Sequence, residues 1–339
     1  MKLFNYKKPL LIAEISGNHN QSKTRFLRLV ESAFKNGADL VKIQTYEPKD
    51  ITLNSKHNKF KINKGLWKGK YLWDLYKKAH TPFDWHKSAF TIANKYKKIL
   101  FSSPFSKRGV DLLEKYNVKI YKLASFEITD LKLINYIASK KKPIIISTGM
   151  STIKEIKNAI NVIKKFHNKI IILHCVSNYP TDLKDVNLER INKLKTIFKN
   201  YKIGVSDHTN DIFSSIASFS YGVVAIEKHF NLDYKKTTDS EFSITPEKLK
   251  LLSQILKDLS TKPKRSNLVN GNMIKLRRSI FASRNIKKNE TFKIKNIETY
   301  RPKIGLCASN YFKIIGKKSN RNIKKGFPIY KKFVLNHRF

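Results

Sequence analysis

Cysteine is nearly absent, with only Cys175 and Cys307 in 339 residues. Two cysteines cannot build a disulfide framework, and their separation matches no zinc motif. No apolar stretch approaches the roughly 20 residues that a membrane-spanning helix needs. The N-terminal segment MKLFNYKKPLLIAEISGNHN lacks a signal-peptide layout, because its apolar run is short and leads straight into polar residues. A cytoplasmic protein with no membrane partner is the expectation. Acidic residues are also few, 25 against 69 Lys plus Arg, for a formal net charge of +44. Such a balance ordinarily suggests nucleic acid or another polyanion. Arginine, however, suits bidentate phosphate and base contacts and supplies only 11 of the 69. The lysines are spread along the chain and form no arm or tail. The charge therefore reads as a solvated surface, and no nucleic-acid partner is expected.

What is present is enough for a large core. Hydrophobic residues make up 41% of the chain and aromatics 12%, which excludes intrinsic disorder. Short apolar runs at 10–15, 39–45, 98–103, 118–124, 143–148, 169–175, 201–206 and 222–229 read as eight strands. Helical patterns lie between them. Phe26, Leu29, Val30, Ala33 and Phe34 recur at helical spacing ahead of Gly37, which stands where a C-cap would. Thr152 and Glu155 have capping-box spacing. Near-continuous apolar strands separated by helices mean a parallel sheet buried on both faces. Eight such units close a (β/α)₈ TIM barrel, with an open doubly wound sheet as the alternative α/β architecture. The barrel's last helix is expected at 246–259, which gives a barrel domain over 1–259. A polar linker follows at 260–276.

Residues 277–339 form a different, small β-rich unit. NIKKNETFKIKNI (285–297) is echoed by NIKKGFPIYKKFV (322–334), which suggests a pseudo-symmetric module if the echo is not chance. An insertion at roughly 46–86 separates the second and third strands. Its aromatic residues Trp73, Phe83 and Trp85 are candidates to cover a ligand or to anchor a lid on the barrel.

In a barrel the chemistry belongs at the C-terminal ends of the strands. There the sequence places Glu14, Lys42, Gln44, Lys122, Ser125, Ser147, Ser177, Tyr179, Ser206, His208 and His229. The lysines and hydroxyls are donors suited to a phosphate or carboxylate, since a lysine in a dry cleft is expensive unless it meets an anion. His208 and His229, on adjacent strands, could bind one divalent metal, with Asp207 and Glu227 as supporting carboxylates. By spacing alone they could equally be buried, hydrogen-bonded histidines.

The stretches IAEISGNHN, VKIQTY, FSSPF, YKLASFE, IISTGM, LHCVSNYPT, GVSDHT, IEKHF and DSEFS resemble, in order, the sialic acid synthase family of phosphoenolpyruvate-condensing nonulosonate synthases. RRSIFASRNIKK, ETYRPKIGL and NIKKGFPI are similar to that family's antifreeze-like (SAF) domain, here 277–339. GLWKGKYLWDLYKKAHTPFDWH, YKLASFE and DSEFS look most like its pseudaminate branch, and the legionaminate and N-acetylneuraminate branches are the alternatives. In one departure, Gln21 stands where the family often has Gly.

The resemblance implies a role for each matching residue. His208 and His229 would hold a divalent metal, expected to be Mn²⁺, with Mg²⁺ or Co²⁺ as alternatives. Glu14 would be a general base. Lys42, Lys122, Ser125, Ser147, Ser177 and Ser206 would hold phosphoenolpyruvate, and Gln44 belongs to the same substrate site. Tyr179, Asp239 and Ser243 would meet the amino sugar. Arg301 would reach the sugar from the other subunit of a domain-swapped homodimer. The implied acceptor is 2,4-diacetamido-2,4,6-trideoxy-L-altrose.

Overall fold

A computed structural model of the chain describes residues 8–261 and 271–336. It divides into two compact units, Met1–Thr261 and Lys262–Phe339. In the first, eight parallel strands close in sequence order into a barrel: β1 (Leu10–Glu14), β2 (Leu40–Thr45), β3 (Ile99–Pro104), β4 (Tyr121–Leu123), β5 (Ile144–Ser147), β6 (Ile170–Cys175), β7 (Lys202–Asp207) and β8 (Ala225–His229). β1 completes the ring by pairing with β8 from Leu10↔Ala225 to Glu14↔His229. Strands such as Ile170–Cys175 are buried at every residue, as a sheet covered on both faces requires.

Local sequence explains how each unit starts and stops. Ser22 caps the helix Lys23–Lys35, whose stripe Phe26, Leu29, Val30, Ala33 and Phe34 is entirely buried. Gly37 follows at φ 98°, a left-handed conformation that stops the helix at little cost. Thr152 and Glu155 form the reciprocal capping box before Ile153–Lys164. Pro246–Leu259 is the last barrel helix.

One expectation needs correction. The fourth strand is shorter than 118–124, because the Val118 N–H turns back to Leu113 O and finishes the preceding helix. The insertion at 46–86 holds the helices Pro48–Ile51 and Leu72–Ala79. Of the expected linker, 262–270 lie outside the described residues, while Gly271–Ile274 form a helical turn.

The second unit pairs β9 (Ser279–Ala282) with β10 (Ile297–Tyr300) antiparallel. Around them the echoed segments meet as equals. Ile286 and Ile323 exchange both backbone hydrogen bonds at 2.8 Å. Asn322 Oδ1 accepts from the Lys288 N–H, and Asn285 Oδ1 accepts from the Lys325 N–H, each at 2.8 Å. The left-handed residues Asn289 and Gly326 occupy the same place in the two turns. The repeat is a pseudo-twofold, closed over Ile280, Phe292, Ile297 and Ile329.

Candidate active site

Side chains alternate along a strand, and that period decides what the barrel interior meets. Lys42 and Gln44 of β2 share one face, and Glu227 and His229 of β8 share another; all four line a cavity of about 340 Å³. Lys122, Ser125, Ser147, Tyr179, Ser206, His208 and Asp239 join them. The strand registers set Glu14 beside both Lys42 and His229.

Lys42 links two acids. Its Nζ lies 2.9 Å from Glu14 Oε2 and 3.3 Å from Glu227 Oε1. Gln44 Nε2 donates to Glu14 Oε1 and to Ser16 Oγ, both at 2.9 Å, so the Glu14 carboxylate is held at both oxygens. Lys122 Nζ donates to Ser147 Oγ at 2.5 Å and stands 3.9 Å from Glu227 Oε1. Burial lifts the Glu14 carboxyl above its ordinary value, although Lys42 pulls it down. Glu227 moves oppositely: despite burial, Lys122 and Lys42 hold it below its ordinary value. Environments that push a pair of carboxyls in opposite directions suit one to stand as an anion and the other to exchange a proton.

Beside the cavity-lining Ser125 and Cys175 lies a tight backbone cradle, whose Gly149 and Ser177 do not themselves line the cavity. The Gly149 N–H donates to Ser125 Oγ at 3.0 Å. A Cβ at 149 would lie 2.0 Å from Ser177 Oγ and 3.2 Å from Cys175 Sγ, so only glycine lets these groups close together.

The rings of His208 and His229 are 5.3 Å apart. His208 Nδ1 is engaged by Val176 O at 2.9 Å, while His229 Nδ1 is buried with no hydrogen-bond partner. An orphaned buried nitrogen is costly in a purely structural histidine, and two converging imidazoles fit a divalent metal. Among the described residues, no three His, Cys, Asp or Glu side chains gather to hold a metal. Asp207 supports neither imidazole by a hydrogen bond. The strand period turns Asp207 and Lys228 to the outer face, where they form an ion pair at 3.3 Å with both side chains buried.

A polar clasp joins the segments after β1 and β8. Arg25 donates to Asn18 O, Asn231 and both Asp233 oxygens. Asn18 Nδ2 donates to Phe230 O and Ser243 Oγ, and the Gly17 N–H reaches Asp239 Oδ2 at 3.1 Å. Ser243 thus spends its hydroxyl on Asn18 and on Asp239 O, and it does not line the cavity. Gln21 takes φ 55°, the left-handed conformation a glycine would occupy freely. Its side chain compensates, with Nε2 donating to Lys78 O at 3.0 Å and His80 O at 2.7 Å.

Arg301 is exposed in the second unit. Trp85 is buried in the core, and neither Trp73 nor Phe83 lines the cavity; Trp67 does. Glu127 is a site residue that sequence reasoning misses. It lines the cavity with Oε2 unpartnered, and burial, partly offset by Lys122, raises its carboxyl to about 7. Its one signal is an acid two residues beyond Ser125, in a turn where no periodicity points inward.

The NeuB family model matches residues 29–265, and the SAF domain model matches 277–335. The chain is 38% identical over 326 residues to a pseudaminic acid synthase of Campylobacter jejuni, covering 94% of this chain and 95% of that one. To an N,N'-diacetyllegionaminic acid synthase of the same species it is 35% identical over 331 residues, covering 94% and 98%. Its fold is similar to a crystal structure of N-acetylneuraminic acid synthetase from Leptospira borgpetersenii in complex with citrate. That comparison has a TM-score of 0.68 and 26% identity, over 79% of this chain and 89% of that one.

Proposed function

The chain belongs to the NeuB family, sialic-acid-synthase-like enzymes that use phosphoenolpyruvate to build nonulosonates, and from that premise we propose that it is the synthase of pseudaminic acid. Its substrates are then phosphoenolpyruvate, open-chain 2,4-diacetamido-2,4,6-trideoxy-L-altrose and water, and its products are pseudaminic acid and phosphate. One observation carries this reading: two buried lysines and the serines Ser125, Ser147 and Ser206 line the same cavity as a histidine pair.

Lys42, Lys122, Ser125, Ser147, Ser177 and Ser206 bind phosphoenolpyruvate, and fixed donors of this kind stabilise its developing charge without reorganising. Bound phosphoenolpyruvate competes with Glu14 and Glu227 for the two ammoniums, which frees Glu14 to act. His208 and His229 would hold the divalent metal, Mn²⁺ in our reading, whose chemistry is to polarise the acceptor aldehyde as a Lewis acid. C3 of phosphoenolpyruvate forms the new bond to the aldehyde carbon with the electron pair of its double bond, leaving C2 oxocarbenium-like and the aldehyde oxygen an alkoxide that takes up a proton to become the product hydroxyl. Glu14, oriented by Gln44, takes a proton from the water that adds to C2. The adduct then collapses with C–O cleavage, releasing phosphate. Tyr179, Asp239 and Glu127 line the acceptor's side, and two reactants fixed in place supply further acceleration.

We read the enzyme as a homodimer in which Arg301 of the partner subunit reaches the sugar. In favour are the exposed apolar side chains that follow the barrel strands, among them Leu53, Phe126, Met150, Leu183 and Phe213. The two unpaired cysteines suit a reducing, cytoplasmic setting. No helix among the described residues is long and apolar enough to cross a membrane. The test is phosphate release with phosphoenolpyruvate, Mn²⁺ and each candidate acceptor, with products read by mass spectrometry. Absence of turnover with the L-altrose derivative, alongside turnover of a legionaminate or neuraminate precursor, rejects the assigned acceptor.

A further inference from the structure

A buried ion pair lies one residue before each histidine, on the outer face of the sheet. The register of β7 on β8 runs through Val205↔Ile226, Ser206↔Glu227 and Asp207↔Lys228, and ends there. Ser206 and Glu227 face the cavity and meet at 3.2 Å. Asp207 and Lys228 turn outward, and the histidines that follow them turn to the cavity again. His229 has a rung on its other side, with Glu14 of β1. His208 stands one residue beyond the end of its strand and of that register.

Lys228 reaches across to both chain neighbours of His208. Its Nζ donates to Thr209 O and, at 3.1 Å, to Thr209 Oγ1, and it stands 3.3 Å from Asp207 Oδ1. An ammonium has three donors, and three oxygens surround this one. Asp207 in turn accepts from the Thr209 N–H at 2.9 Å and from Ser215 Oγ, in the helix Phe213–Phe219, at 2.6 Å. Lys228 is fully buried, Asp207 is nearly so, and neither lines the cavity.

That closed arrangement sets this pair apart from Lys42, which faces the cavity and can exchange an acid for a bound anion. Buried ion pairs add little net stability, because desolvation offsets most of the attraction. What this one supplies is geometry. It grips residues 207 and 209 from the residue before His229, and so fixes the span between the two backbones that carry the imidazoles.

We infer that Lys228 and Asp207 are positioning residues for the histidine pair, setting the distance at which His208 and His229 hold one divalent metal. The inference rests on the synthase reading above, in which these histidines take the metal. Both residues act through the backbone on either side of His208, without touching substrate or metal.

The test measures the Mn²⁺ affinity of the full chain directly, from the electron paramagnetic resonance of free Mn²⁺, with no substrate present. The double variant Asp207→Asn, Lys228→Met removes both charges together, so that no lone buried charge is left, and keeps an acceptor for the Thr209 N–H. Its Kd for Mn²⁺ is expected to weaken about ten- to a hundredfold, the usual effect of losing groups that orient metal ligands. Circular dichroism and KM for phosphoenolpyruvate should stay close to those of the wild type. A pair that served stability alone would lower the melting temperature and leave the Kd of the folded protein where it was. Ser215→Ala, which takes one hydrogen bond from Asp207, carries the test if the double variant fails to fold; about threefold weaker Mn²⁺ binding is then expected. An unchanged Kd in the folded double variant, or in Ser215→Ala where it stands in, overturns the inference. Wild-type binding no tighter than that of His229→Ala overturns the metal reading instead.

Discussion

Lys42 Nζ stands 2.9 Å from Glu14 Oε2, with the two side chains 5% and 0% exposed. Buried ion pairs contribute little net stability, because desolvation cancels most of the attraction. A pair kept there, with a second acid at 3.3 Å, is better understood as a charge held ready for an anion.

Glu14→Gln keeps the shape and the Gln44 contact but removes the base. Lys42 retains Glu227, so folding should survive. The expected result is a kcat lowered by about 10²- to 10⁴-fold with KM for phosphoenolpyruvate changed little, measured by phosphate release.

Chelation by EDTA should abolish turnover and Mn²⁺ should restore it. In His229→Ala, added Mn²⁺ should restore nothing, and metal analysis of the dialysed protein should show reduced Mn²⁺ content. A variant that stays active would remove the metal role from this histidine.

Gly149→Ala tests the cradle. Its new methyl would meet Ser177 Oγ at 2.0 Å, so Ser177 and its neighbours must move. We expect KM for phosphoenolpyruvate to rise about tenfold or more, while KM for the acceptor moves little; tenfold corresponds to about 1.4 kcal/mol. An unchanged KM for phosphoenolpyruvate would place the phosphate elsewhere.

Glu127 sets a pH dependence of stability. Burial raises its carboxyl to about 7 from an ordinary 4.5, so the folded chain binds more protons than the unfolded one between those values. This group's contribution is therefore complete below about pH 4.5 and is lost as the pH rises through 7. Glu127→Gln should lose less melting temperature than the wild type between pH 5 and pH 8. Parallel curves in calorimetry would contradict the assignment.

Gln21→Gly sets two effects against each other. Glycine relieves a left-handed residue, a gain of about 1 kcal/mol, while two hydrogen bonds of about 1 kcal/mol each are lost. The net loss of about 1 kcal/mol should lower the melting temperature by about 2 °C. KM for the acceptor should rise, because helix Leu72–Ala79 loses its tie to the loop after β1.

The barrel was legible because its signals are local: apolar runs, a capping box at Thr152 and Glu155, and a glycine after Asn36. Strand-end position also singled out Lys42, Lys122, His208 and His229, which line one cavity, and Glu14, which is buried beside Lys42 without lining it. The twofold side-chain period could have told more. It turns Asp207 outward to Lys228 and Glu227 inward to Lys42, roles that nearness to the histidines in sequence does not distinguish. Loops offer no such rule. Trp67 rather than Trp73 lines the cavity because its contacts, Thr238, Tyr179 and Phe242, lie more than a hundred residues away in sequence. Ser243 shares a motif with Asp239, yet its hydroxyl closes a clasp that only the folded β1 and β8 ends create.

Asn285 and Asn322 each complete the other's turn, 37 positions apart in the sequence. Neither half of the second unit is finished alone. A growing chain that has reached residue 320 carries the first turn but not the Ile323 backbone groups or the Asn322 oxygen that close it. Order in this unit is therefore expected to arrive late and all at once. A stop codon near the C-terminus would cost the whole module, not merely its tail.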